Sequence, residues 1–114
     1  MTTLYGIKNC DTVRKARRWL DENGVTYSFH DLRSDGLDQQ TLQDWEKTLG
    51  WEQLLNRRGM TWRRLPAAER DAIDRTHALK LMLDQPAIIK RPLLAVNRQL
   101  HVGFSVDAYQ DIFG

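Results

Sequence analysis

The sequence predicts an α/β fold: a four-stranded mixed β-sheet flanked by helices, with a helical insertion between a βαβ half and a ββα half. Three observations lead there. A β-prone stretch, an amphipathic helix and a second β-prone stretch follow one another between Leu4 and His30. The middle of the chain, about residues 38–85, carries helical periodicity. Two short apolar runs, Leu93–Val96 and Gln99–Val102, are then joined by Asn97-Arg98 and read as a hairpin, and a last amphipathic segment closes the chain.

The first stretch is apolar and β-prone at Leu4, Tyr5 and Ile7, breaks at Lys8-Asn9, and reaches the only cysteine, Cys10. Val13, Ala16, Arg17 and Leu20 then recur at helical spacing, and Asn23-Gly24 stops the helix, with Gly24 suited to a left-handed position. Val25–His30 alternates and reads as a second strand. A right-handed crossover makes the two strands parallel. Asp31–Gly36 reads as a polar loop.

A helix is expected from about Asp38 to Leu49, ended by Gly50. Short turns follow around Trp51–Leu55 and Thr61–Leu65, separated by the basic turn Asn56-Arg57-Arg58-Gly59. Pro66 suits the first position of a helix through Ile73. A further helix runs from about Arg75 to Leu83, and Asp84-Gln85-Pro86 stops it. Trp45, Trp51 and Trp62 are expected as core or helix-packing residues, because large aromatics dominate burial. β structure is expected to return at Ala87-Ile88-Ile89, and Ser105 caps a final helix that turns Val106, Tyr109, Ile112 and Phe113 inward. This order is thioredoxin-like, and the whole chain reads as one domain, 1–114.

The 114 residues are enough for a real core. Lys and Arg number 17 against 15 Asp and Glu. These interspersed charges do not describe a nucleic-acid binder. One cysteine excludes an internal disulfide and points to a reducing, cytoplasmic setting, without a membrane span or signal segment. His30, His77 and His101 have no ligand spacing with Cys10 or each other, so no metal is expected. The mild charge and the lack of a large apolar run favour a monomer.

The candidate nucleophile is Cys10, placed where a strand hands over to a helix. Unpaired N–H groups and the positive end of the helix dipole at that point favour a thiolate. Lys8 and Arg14 add positive charge, while Asn9 and Thr12 are placed to bond the sulfur or fix the loop. Asp11 is expected to point outward or to cap the helix.

The segments KNCDTVRKARRWL, LLNRRGMTWRRL and IIKRPLL, with the closing hairpin, resemble the arsenate reductase-like (ArsC) family. More closely they resemble its Spx/YffB-type branch of small bacterial proteins. Where glutaredoxin-linked arsenate reductases carry Cys-Gly-Thr-Ser-Arg, this chain reads Cys10-Asp11-Thr12-Val13-Arg14. The resemblance implies a thioredoxin-like fold with a cis Arg91-Pro92 bond, and an oxyanion site to which Arg91 and, approximately, Arg57 correspond. The family's hairpin arginine is replaced around Val102-Gly103, and Gly6 stands where the reductases place a histidine. Spx-type regulators carry a second cysteine three residues after the first, where this chain has Val13.

A monothiol needs an external thiol to complete a redox cycle. Glutathione is therefore the expected co-substrate, with no bound cofactor, and a disulfide or glutathionylated molecule is the expected substrate. Its two carboxylates suit Arg57 and Arg91, because guanidinium binds carboxylate through two parallel hydrogen bonds. The resemblance also places the backbone beside Pro92 against bound peptide. The competing expectation is an adaptor that, as Spx does, binds RNA polymerase without turnover.

Overall fold

The computed structural model describes residues 1–114. Strand β1 (Thr3–Gly6) leads through a tight loop to helix α1 (Asp11–Glu22), and the chain returns as β2 (Ser28–Asp31). After a helical segment it re-enters the sheet as β3 (Leu93–Val96), turns into β4 (Gln99–Val102) and ends in α7 (Val106–Phe113). The sheet order is β2-β1-β3-β4, with β1 parallel to β2 and antiparallel to β3. This is the four-stranded mixed sheet of a thioredoxin-like protein.

Helix α1 buries Val13, Ala16 and Leu20, the face that the i, i+3, i+4 spacing selects. It stops where expected: Asn23 and Gly24 cap it, and Gly24 takes φ +68°. Ala16 and Leu20 join Leu4, Leu94, Val96 and Tyr109 in one buried cluster. Trp19, Phe104 and Phe113 close over Tyr109. The β3–β4 turn runs through Asn97 and Arg98, both at positive φ (52° and 64°), the geometry a two-residue hairpin needs even without glycine. Ser105 caps α7 by accepting the Ala108 N–H at 3.1 Å.

The chain forms two compact units. One combines Met1–Asp35 with Arg91–Gly114, and the other is Gly36–Lys90. The second unit contains α2 (Gln39–Leu49), α3 (Trp51–Leu54), α4 (Met60–Arg63), α5 (Ala67–Asp71), α6 (Arg75–Asp84) and a 3-10 turn at Pro86–Ile88. Asp38 and Asp74 cap α2 and α6 by accepting N–H groups of Thr41 and His77. Leu42, Trp45, Leu54, Leu55, Trp62, Ala78, Met82, Ile88 and Ile89 are buried in this unit. No helix in the chain is long and apolar enough to cross a membrane.

Several local expectations are corrected. The second strand is Ser28–Asp31, not Val25–His30. Val25 cannot join it because its N–H completes the end of α1 on the Leu20 carbonyl, and pairing with β1 begins only at Thr3 opposite Ser28. Asp31 is therefore a buried strand residue and not the start of a polar loop. Ala87-Ile88-Ile89 does not return to strand: Pro86 starts the 3-10 turn, and only Ile89 makes a bridge, to Leu55. Pro66 stands at the N-cap of α5, one position earlier than expected, and α5 ends at Asp71. Of the three tryptophans expected as core or helix-packing residues, Trp45 and Trp62 lie in the core and Trp51 is half-buried at the start of α3.

Candidate functional site

The sheet register brings four segments to one end. β1 runs towards Cys10 and leaves the sheet at Gly6. Because Tyr5 lies opposite Leu93 in an antiparallel pair, that same end is where Arg91-Pro92 enters β3. Leu93 lies opposite Val102, so β4 leaves the sheet there too, and the Gly103 N–H donates to the Pro92 carbonyl at 2.8 Å. Gly6 pairs in parallel with Asp31, so β2 also ends there. β1 leads to Cys10 from the same end of the sheet at which Arg91-Pro92 enters β3 and Asp31 ends β2, although these residues come from three separate stretches of sequence.

Cys10 is itself the N-cap of the 12-residue α1, with extended dihedrals (φ −109°, ψ 123°). Its N–H donates to the Ile7 carbonyl at 3.2 Å, and its own carbonyl accepts from the Arg14 N–H at 2.9 Å. The thiol is half-buried and makes no capping hydrogen bond. The sulfur therefore occupies the position from which a serine or aspartate oxygen would satisfy first-turn N–H groups. That position also lies at the positive end of the helix dipole.

The other expected residues fall into different places. Lys8, Asn9 and Thr12 are exposed around the loop. Arg14 makes two contacts around the loop: its Nη1 pairs with Asp11 at 3.2 Å, and its Nε reaches the Lys8 carbonyl at 3.5 Å. It clips the loop to the first turn of the helix. Asp11 points outward, with its side chain 88% exposed. Arg91 is half-buried, and its bond to the buried Pro92 is cis, as the resemblance implied. Arg57 belongs to the second unit, where its guanidinium sits 5.6 Å over the Trp62 ring and lines an open groove with Glu52, Asn56, Arg58 and Lys90.

Gly6 has a structural reason. A Cβ there would lie 2.8 and 2.9 Å from the two methyl carbons of Val13, closer than any real contact. Val13 fills the space beside β1, so a histidine at position 6 does not fit while valine stands at 13.

Sequence reasoning missed Asp31. The residue is 5% exposed, and its carboxylate accepts three backbone N–H groups: Arg33 at 2.8 Å, Ser34 at 3.1 Å and Lys8 at 3.3 Å. Burial pushes its pKa up, but these hydrogen bonds and the Lys8 charge outweigh burial and hold it below its ordinary 3.8. A signal was present, because an Asp followed by Arg-Ser two and three residues on suits an Asx turn.

A thioredoxin-like sheet whose only cysteine stands at the N-cap of the first helix, at the sheet end where a cis-proline enters β3, defines the class: a single-cysteine protein of the thioredoxin-like fold. The model of the ArsC family matches residues 5–112, and the chain belongs to that family. Among solved structures it is similar to the YFFB protein, with 46% identity, a TM-score of 0.93 and 100% of both chains covered. It is also similar to an arsenate reductase (ArsC) related protein from Brucella melitensis, with 50% identity, a TM-score of 0.82 and 98% and 93% covered. The global transcriptional regulator Spx 1 of Bacillus cereus is 27% identical over 109 residues, covering 94% of this chain and 82% of that one. The chain is thus arsenate reductase-like or Spx-like within its family.

Proposed function

We propose that the protein is a glutathione-dependent monothiol reductase with Cys10 as its nucleophile. The observation that carries this reading is the half-buried thiol standing uncapped at the start of α1, at the sheet end where Arg91-Pro92 enters β3. Cys10, as thiolate, attacks one sulfur of a glutathionylated substrate. The disulfide breaks, the substrate leaves as a thiolate that takes a proton, and Cys10 holds glutathione in a mixed disulfide. A second glutathione thiolate attacks the glutathione sulfur, releases glutathione disulfide and restores Cys10. Arg91 is the proposed partner of a glutathione carboxylate, and the main chain before Pro92 pairs with its peptide backbone. With Val13 three residues after Cys10, no local thiol competes for the mixed disulfide.

The test is intact-mass analysis after exposure to glutathione disulfide, followed by turnover with glutathione and a glutathionylated peptide. One glutathione on Cys10 and turnover absent from Cys10→Ser are expected. A wild-type protein that forms no adduct and turns nothing over refutes the reading. Reduction of arsenate is a narrower form of the same chemistry, and Val102-Gly103 in place of the hairpin arginine counts against it.

A second reading rests on the Spx similarity and on the groove of Arg57, Arg58 and Lys90: an adaptor that binds RNA polymerase. It differs in what Cys10→Ser does, because an adaptor keeps its partner while the reductase loses turnover.

A further inference from the structure

We propose that Asp31 is the positioning residue of the Cys10 loop: by accepting the Lys8 N–H it fixes the backbone that presents the thiol to a disulfide. The inference rests on the reductase reading for its kinetic arm and on geometry alone for its spectroscopic arm. Three residues separate the end of β1 from Cys10. Within them the Cys10 N–H is tied back to Ile7, and Arg14 holds the Lys8 carbonyl from the helix side. The Lys8 N–H, which points the other way along the chain, is held by Asp31 across 23 residues of sequence. The peptide groups on both sides of Lys8 are thus fixed from two different elements, and Cys10 follows two residues later.

The carboxylate is in turn fixed. Oδ1 accepts from Arg33 and Ser34, leaving Oδ2 for Lys8. The Asp31 N–H donates to Asp35 Oδ2 at 2.9 Å, and the Asp35 N–H returns to the Asp31 carbonyl at 2.8 Å. On the strand side, the Leu32 N–H donates to the Gly6 carbonyl at 2.8 Å. The charged groups about the carboxylate are therefore Lys8 from the thiol loop and Asp35 with Arg33 from its own turn. A carboxylate needed only to cap its own turn would not have to reach the β1–α1 loop.

Asp31→Asn separates the two jobs. Its amide oxygen still accepts from Arg33 and Ser34, but its NH2 replaces Oδ2 and meets the Lys8 N–H donor to donor. Two rates are compared at one pH: alkylation of Cys10 by iodoacetamide, which needs access and the thiolate, and mixed-disulfide formation with glutathione disulfide, which needs both and alignment as well. Misplacing a reacting group by an ångström can cost up to about 100-fold, so a loosened loop is expected to slow mixed-disulfide formation about tenfold. Alkylation is expected to stay within about twofold, because it makes no use of the bound geometry. Phe113→Ala, which loosens the aromatic cluster of α7 away from the loop, is the control for lost stability. Equal slowing of both rates, or the same pattern in Phe113→Ala, overturns the proposal.

The wild-type protein gives the second measurement and needs neither a folded variant nor activity. Followed by NMR in an acid titration, the Lys8 amide proton is expected to shift together with those of Arg33 and Ser34, with a midpoint below 3.8. A Lys8 amide that ignores the titration while Arg33 and Ser34 follow it also overturns the proposal. Failure of wild type to form the mixed disulfide, with Lys8 titrating as expected, removes the reductase reading and leaves the brace standing.

Discussion

Tyr109→Phe should make this protein more stable. Tyr109 is the largest fully buried side chain, at the centre of the cluster formed by α1, β1, β3 and α7, and its hydroxyl has no hydrogen-bond partner in the protein. Burying a hydroxyl without a partner costs about 1–3 kcal/mol in protein mutational series. The ring's own packing survives the change: it lies edge-on to Trp19 at 5.6 Å and Phe104 at 4.7 Å, and against Phe113 at 6.2 Å. After subtracting the dispersion attraction that the single oxygen supplies, the net gain is about 1 kcal/mol. Unfolding entropy of about 2.1 cal/mol/K per residue makes this a rise of about 4 °C in Tm for a chain of this length.

The same burial holds the phenol protonated by pushing its pKa well above the ordinary 10.0. Its contribution is therefore complete below pH 10 and lost as pH rises further, because the unfolded chain releases the proton first. The phenylalanine variant has no such loss, so its advantage should widen above pH 10. Thermal unfolding at neutral pH and urea unfolding across pH 8–11 measure both parts. A variant less stable than wild type at neutral pH would refute the reasoning, since the hydroxyl would then be bonded in the folded state.

Three further outcomes are expected. Gly6→Ala should cost about 1–3 kcal/mol, since its Cβ meets Val13. Adding Val13→Ala should recover part of that, and strict additivity in a double-mutant cycle would contradict the contact. Cys10→Ser should abolish thiol turnover and, because serine is a better N-cap, leave thermal stability unchanged or raised by about 0.5 kcal/mol; a marked fall in Tm would mean that the sulfur packs where it should not. Asp31, whose folded pKa is lowered, contributes stability that is present above its unfolded value and lost as pH falls below 3.8. Wild type should therefore lose stability on acidification more steeply than Asp31→Asn, and parallel acid limbs in urea titrations would count against it.

Much of the fold was legible because it depends on local pattern. The 3.6-residue spacing of Val13, Ala16 and Leu20, the Asn23-Gly24 stop, the Ser105 cap and the paired runs of the hairpin each have a short-range physical cause, and each appears where expected. Errors came where a partner far along the chain decides. Val25–Tyr27 have the β propensity of a strand, but β1 offers pairing only from Thr3, and the end of α1 takes the Val25 N–H. Ile88 and Ile89 are β-branched, yet the turn begun at Pro86 overrides them.

The candidate site divides in the same way. The sequence by itself determined that the only thiol stands at the start of a helix, since the break at Lys8-Asn9 and the apolar spacing after it are local. It also showed Arg91-Pro92 leading into a strand. Only the tertiary structure decided what surrounds that thiol. Parallel and antiparallel pairing with β1 brings Asp31, Pro92 and Gly103 to the end of the sheet that Cys10 leaves. Burial then turns Asp31 from one acidic loop residue among several into an acceptor of three backbone N–H groups, and Arg14 contacts both Asp11 and the Lys8 carbonyl. Register, burial and competition between charged partners are relations among distant residues, which no window of sequence contains.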